Sequence, residues 1–219
     1  MFAYIKIFHI FTIIFNIYVV PTKMKKSIDI ISVTYGQNEN LKCFINSIKC
    51  QKNSNWRLFI IHDGLNSELH NDLKTNGYLT ENVNFIEFPD RTQNYGHKLR
   101  KWGLENLVGN EYVLITNGDN YYTPNMIDEV LNNDSDIIFF NCVHSHKNKT
   151  NHNNSSYGFM NCEFKQSKID MGCVVVKSLI AKKVGFNSIS YSADWDYFSE
   201  LLNHTSSLHK IDKVLFVHN

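Results

Sequence analysis

The chain has 219 residues, enough for one domain with a short appendage, and its 43% hydrophobic and 13% aromatic content can fill a packed core. Its 22 basic and 21 acidic residues leave a formal charge of +1, which excludes both the basic field of a nucleic-acid binder and the acidic excess of a disordered chain. Five cysteines (Cys43, Cys50, Cys142, Cys162 and Cys173) form no CxxC pair, which argues against a disulfide framework or zinc knuckle and for buried free thiols in a reducing compartment.

Residues 1–23 stand apart as an apolar segment, with Lys6 ahead of the run 7–20 and Lys23, Lys25 and Lys26 behind it. The run lacks a small-residue cleavage site and is at the short end of the roughly 20 residues a membrane span needs. It reads as a weak membrane anchor or an upstream extension. With the lysines on the cytosolic side, the chain would be cytoplasmic or sit on the cytosolic face of a membrane, associating weakly through residues 1–20.

From Ile28 the pattern alternates. IDIISVT (Ile28–Thr34) is a β-branched run suited to a strand buried on both faces, followed by the polar turn 35–38. Leu41, Phe44, Ile45 and Ile48 then recur at helical spacing. Strands follow at Trp56–His62 and 82–88, a helix at 99–107, a strand at 112–116, a helix opened by Pro124, and a strand at 136–141. The polar stretch 144–157, with its His-x-His pair, reads as a mobile loop. A strand over 172–177, helices over Ser178–Val184 and 194–202, and a strand over 213–218 complete the domain 24–219. The βαβ alternation predicts an α/β fold with a mostly parallel central sheet and helices on both faces. In such sheets ligands bind beyond the carboxyl ends of the strands.

The residues at those ends carry the candidate chemistry. YVLIT runs straight into Asn117-Gly118-Asp119, where Asp119 can bind a hard cation and Gly118 lets a ligand approach the backbone. Asp63 closes the second strand and can accept hydrogen bonds from a base or ribose. Lys98 and Arg100 open a helix whose N-terminus favours anions. Asp194 and Asp196 open another; two residues apart, they do not share a helix face. Either can serve as a base, and a first helical turn would keep it ionised. His218 ends an apolar strand and can ligate a metal.

In this order and spacing, residues 28–218 resemble the family 2 glycosyltransferases of the GT-A (Rossmann-like) fold. Thr34 and Tyr35 look like that family's first nucleotide-binding turn, Asp63 its base-contacting aspartate, RKWG (100–103) its basic helix, and Asn117-Gly118-Asp119 its DxD motif with Asn for the first Asp. Residues 169–176 look like the segment lining the acceptor side. Asp194 matches the Asp of its ED motif, with Ala193 for the Glu, and His218 lies where many GT-A enzymes have a late metal-binding histidine. The resemblance implies inverting, metal-dependent hexosyl transfer from a nucleotide-sugar donor, taken as UDP-linked, to a glycan, lipid or protein acceptor. Thr34, Tyr35, Asp63, Lys98, Arg100, Asn117 and Gly118 would bind the donor, Asp119 and His218 would hold Mn2+ or Mg2+, and Asp194 or Asp196 would be the base. A nucleotidyltransferase and a non-catalytic nucleotide- or sugar-binding module are the competing classes.

Overall fold

The structure is a computed structural model that describes residues 26–36, 38–145 and 157–219; the apolar segment 1–23 and its boundary lie outside the described residues. The expected α/β architecture is present. Strands β1 (Ile28–Thr34), β2 (Trp56–His62), β3 (Val83–Glu87) and β4 (Tyr112–Asn117) alternate with helices α1 (Asn38–Lys49), α2 (Ser67–Thr75) and α3 (His97–Asn106). Then come β5 (Tyr121–Tyr122), α4 (Met126–Leu131), β6 (Ile137–His144), β7 (Gly158–Met160), β8 (Val174–Lys177), α5 (Ser178–Val184), α6 (Ala193–Leu202) and β9 (Leu208–His218).

The sheet runs in the order β3-β2-β1-β4-β8-β6-β9-β5, with β7 beside β6. Its first four strands are parallel, β8 is inserted antiparallel between β4 and β6, and β6 and β9 pair in parallel through an irregular register at Phe140–Cys142. Helix α1 buries the predicted Leu41, Phe44, Ile45 and Ile48. Ile28, Ile30 and Ile31 of β1 have no exposed surface, as a strand covered on both faces requires. Gly103 sets the α3–sheet distance: a Cβ there would lie 2.7 Å from Ile61 Cδ1 and 3.0 Å from Ile31 Cγ2.

The amino ends of these strands are tied by a buried charge. Asp29 has no exposed surface and accepts hydrogen bonds from Arg57 Nε (2.8 Å), from the backbone N–H groups of Gly109 and Asn110 (both 2.7 Å), and from Asn110 Nδ2 (2.8 Å). That saturation is what lets a carboxylate sit in a core strand.

The C-terminal half departs most from expectation. His144 is the last residue of β6, in register with His218, and not part of a loop. Strand β9 begins at Leu208 and α2 was unforeseen. Of the cysteines only Cys142, Cys162 and Cys173 are buried; their sulfurs lie within 4.8 Å of one another, whereas Cys43 and Cys50 are exposed. No helix among the described residues is long and apolar enough to cross a membrane.

Candidate active site

The parallel register aligns the carboxyl ends of three strands: Thr34 pairs with His62, and Val33 with Asn117. Beyond them opens a cleft of about 610 Å³ lined by Thr34, Tyr35, Asp63, Arg91, the segment 93–96, Arg100, Asn117 and Asp119. Most of the predicted donor residues therefore meet. Two do not. Lys98 is exposed and does not line the cleft. Gly118 is buried against protein rather than open to a ligand, because a Cβ there would lie 2.9 Å from Thr34 Cβ and 3.0 Å from Leu41 Cδ1. Its small size is needed to pack the turn.

Asp63 is engaged by its own protein. Oδ1 accepts from the Thr92 N–H (2.6 Å) and hydroxyl (3.0 Å), and Oδ2 from the Gln93 N–H (3.1 Å). It anchors a segment in which Gln93, Asn94 and Tyr95 all have positive φ, at 53°, 48° and 55°. Such backbone costs of order 1 kcal/mol or more per residue and persists only where its surroundings impose it. Beside it, the Arg91 guanidinium stands 3.5 Å from the centroid of the Tyr35 ring, so the two form one wall of the cleft.

Arg100 is the hinge of the arrangement. Although on a helix, it is 5% exposed, and it donates to Tyr95 O (2.6 Å), His97 Nδ1 (3.0 Å) and Asn117 Oδ1 (2.5 Å). Burial works against its charge and lowers its pKa, while Asp194, Asp170 and Asp119 work the other way. Burial and Arg100 together push the His97 imidazole below its usual range.

On the other side of Arg100 lies a second cleft of about 690 Å³, which shares Tyr95, Arg100 and Asn117 with the first and contains Asp194. The two candidate bases separate here. Asp196 is exposed, accepts from Ser188 (2.6 Å) and Ser190 (2.9 Å), is lowered in pKa by those hydroxyls, and lines neither cleft. Asp194 lines the second cleft, and its Oδ1 is sealed from solvent with no hydrogen-bond partner. Burial raises its pKa, partly opposed by Arg100 and reinforced by Asp170. Against the expectation that the helix terminus favours the ionised form, burial outweighs the neighbouring Arg100 and shifts this carboxyl upward, which makes it a stronger base than a solvated aspartate.

A second cluster lies in the same cleft. Asp170 Oδ2 is 3.6 Å from His144 Nε2 and 3.9 Å from His218 Nε2, and the two imidazoles stack with centroids 4.0 Å apart. Asp170 Oδ1 accepts from the Gly172 N–H at 2.9 Å. Ser145 Oγ lies 3.1 Å from His218 Nδ1, which orients that ring with Nε2 toward Asp170. Burial opposes the charge of Asp170, but His144, His218 and the Gly172 N–H outweigh it and hold the carboxyl below its usual range. Two imidazoles and a carboxylate with ligating atoms within 4.8 Å of one another are a donor set of the kind that holds a divalent cation, once the stacked rings turn toward it. Of these three, only His218 is among the residues expected from the sequence to hold a metal; the local signals of the others are the His-x-His pair and the IDMG run. Asp119 lines the first cleft and stands outside this trio. The antiparallel pairing of Tyr121 with Val217 brings its turn alongside the end of β9.

The parallel half-sheet, the inserted antiparallel β8 and the clefts at the strand ends define a GT-A-like glycosyltransferase fold. Solved structures agree. The chain is similar to crystal structures of S. aureus TarS 1-349, at 13% identity and a TM-score of 0.69 over 88% of this chain and 60% of that one. The same fragment with UDP gives 14% identity, a TM-score of 0.69, and coverage of 87% and 60%. With UDP-GlcNAc it gives 14%, 0.66, and coverage of 87% and 58%. The chain thus spans less than two thirds of the length of these structures. No protein-family model and no curated protein matches the sequence.

Proposed function

We propose that this chain is a nucleotide-sugar glycosyltransferase that moves a hexosyl group from a UDP-linked donor to an acceptor hydroxyl with inversion at the anomeric carbon. The observation that carries the reading is the pair of clefts meeting at Arg100 and Asn117, with strand ends on one side and the unpartnered Asp194 carboxylate on the other. The UDP and UDP-GlcNAc complexes of S. aureus TarS support a nucleotide-sugar donor for this fold.

In this mechanism Thr34, Tyr35, Asp63 and Asn117 bind the nucleoside diphosphate in the first cleft, with Arg91 and Tyr35 forming a wall for the base. The acceptor hydroxyl lies in the second cleft near Asp194. Its oxygen attacks the anomeric carbon, its proton passes to Asp194, and the bond to the diphosphate breaks with the electron pair leaving on the diphosphate. Asp194 is well suited because it is desolvated yet faces Arg100, which stabilises its ionised form. Arg100 holds Tyr95, His97 and Asn117 in place and supplies fixed positive charge between the clefts. His218, His144 and Asp170, with Asp119 from the neighbouring turn, would hold the cation, Mn2+ or Mg2+. It would supply charge neutralisation at the leaving diphosphate.

The test is release of UDP from UDP-sugars by purified protein with Mn2+. Asp194→Asn is expected to lose turnover while binding UDP as the wild type does in calorimetry. Release of pyrophosphate instead of UDP would indicate a nucleotidyltransferase. UDP binding without any turnover would indicate a binding module.

A further inference from the structure

The second cleft carries a feature that the transfer chemistry does not use. Tyr191 is 90% exposed and Tyr95 is 71% exposed, and their rings meet edge to face with centroids 6.0 Å apart. Both line the cleft that contains Asp194, as does the indole of Trp195, the next residue on α6. Tyr95 is also the third residue of the positive-φ run, with φ 55° and ψ 18°. The fold therefore bears backbone strain to hold an aromatic ring in water at the seam of the two clefts, clamped through the Arg100 bond to its carbonyl. Neither the strain nor the exposure is repaid by packing in the core.

The same cleft is also lined by polar groups, among them Gln166, Ser167, Ser192 and the Asp194 carboxylate. A surface of aromatic rings with hydroxyl, amide and carboxylate groups at its edge complements a pyranose, which has apolar C–H faces and a rim of hydroxyls. A lipid tail needs a continuous apolar groove, and this lining is interrupted by Arg100, Asp170 and Asp194. A phosphorylated polyol calls for accessible cations, whereas the one arginine or lysine lining this cleft is Arg100, which is buried and already bonded.

We infer that the acceptor is a carbohydrate, whose pyranose ring stacks on the face of Tyr191, meets Tyr95 at its edge and presents a hydroxyl to Asp194. This rests on the glycosyltransferase reading for the role of the hydroxyl, but the binding itself can be measured without turnover. The experiment is saturation-transfer difference NMR on the full chain with UDP and diamagnetic Mg2+, using methyl glycosides of common hexoses and N-acetylhexosamines and their β-linked disaccharides as probes. The expected result is saturation concentrated on the C–H protons of one sugar face for at least one probe. Tyr191→Ala, at a surface position where folding is not at stake, should weaken that binding by about tenfold or more. Tyr191→Phe should retain it, and Leu179→Ala, an 86% exposed apolar residue outside both clefts, should not change it.

No saturation of any sugar by the wild type, or undiminished saturation in Tyr191→Ala, overturns the inference. The two readings fail separately. Sugar binding without UDP release removes the enzyme and keeps the platform. UDP release without sugar binding keeps the enzyme and removes the platform, and transfer to a prenyl phosphate or a serine peptide would then identify the other acceptor.

Discussion

The two clefts are built on different principles. The first is a product of the ladder: β1, β2 and β4 run parallel in register, and their ends deliver Thr34, Asp63 and Asn117 to one place with little choice left to side chains. The second gathers residues from the end of β6, the segment 166–170, α6 and the end of β9, across a sheet whose register slips at Phe140–Cys142. There, the β6–β9 ladder sets His144 beside His218, and contacts such as Ser145 with His218 and Asp170 with the Gly172 N–H add what the slipped register does not fix.

Arg100 is the sharpest test of that contrast because it serves both clefts. Arg100→Ala should leave Asp119, Asp170 and Asp194 without their buried counter-charge. We expect a loss of about 3–5 kcal/mol in urea unfolding and loss of turnover together. Arg100→Lys should rescue little, since an ammonium cannot span Tyr95 O and Asn117 Oδ1 as the guanidinium fork does. A stable, active Arg100→Ala would mean the clefts are independent.

Next in size is Asp194→Asn, expected to reduce kcat by about 10²–10⁴ with UDP affinity retained, while Asp196→Asn stays within a few-fold. The base must be ionised, and burial raises its pKa, so the acid limb of the wild-type pH–rate profile should lie above the ordinary carboxylate range of about 4. An acid limb at or below that range would move the base elsewhere.

Asp170→Asn should weaken Mn2+ binding, read by titration in the presence of UDP, by about tenfold or more, and Ser145→Ala should have a smaller effect of the same sign. Equal Mn2+ affinity in Asp170→Asn would leave the cation to Asp119 alone and return the whole donor site to the first cleft.

The smallest effect concerns how the second half is fastened. Asp136, at the start of β6, accepts from the hydroxyl and N–H of Ser206 and pairs with Lys177. The Ser206 hydroxyl is the main cause that lowers its pKa from 3.8 to about 2, with burial opposing and the Ser206 N–H and Lys177 assisting. A depressed carboxyl contributes stability that is complete above the unfolded pKa and is lost as pH falls through the folded one. Asp136→Asn should therefore melt lower than wild type at neutral pH, with the gap closing between about pH 4 and pH 2. A gap that persists at pH 2 would assign the loss to geometry rather than charge.

How much of this was legible beforehand follows the same division. The β-branched runs of β1, β2 and β4 and the helical spacing of Leu41, Phe44, Ile45 and Ile48 are local signals, and each fell where the pattern put it. The positions of Lys98, exposed outside the cleft, and Gly118, packed against Thr34 and Leu41, were not legible, because a basic side chain at a helix start and a glycine in a turn have the same appearance whether they meet a ligand, solvent or protein. His144 was hidden by the polar run that follows it, and Asp170 by the lack of any nearby ligand in the chain.

By itself the sequence determined the alternation of strands and helices, the strand-end location of the first cleft, and the presence of carboxylates at 63, 119, 194 and 196, because periodicity and turn chemistry are properties of neighbours along the chain. Tertiary structure alone decided that Asp194 and not Asp196 enters a cleft, that Arg100 is buried among three carboxylates, and that His144, Asp170 and His218 converge. Those outcomes depend on desolvation and on distances between segments far apart in the chain, such as Arg100 and Asp194 or His144 and His218. No local pattern encodes either quantity.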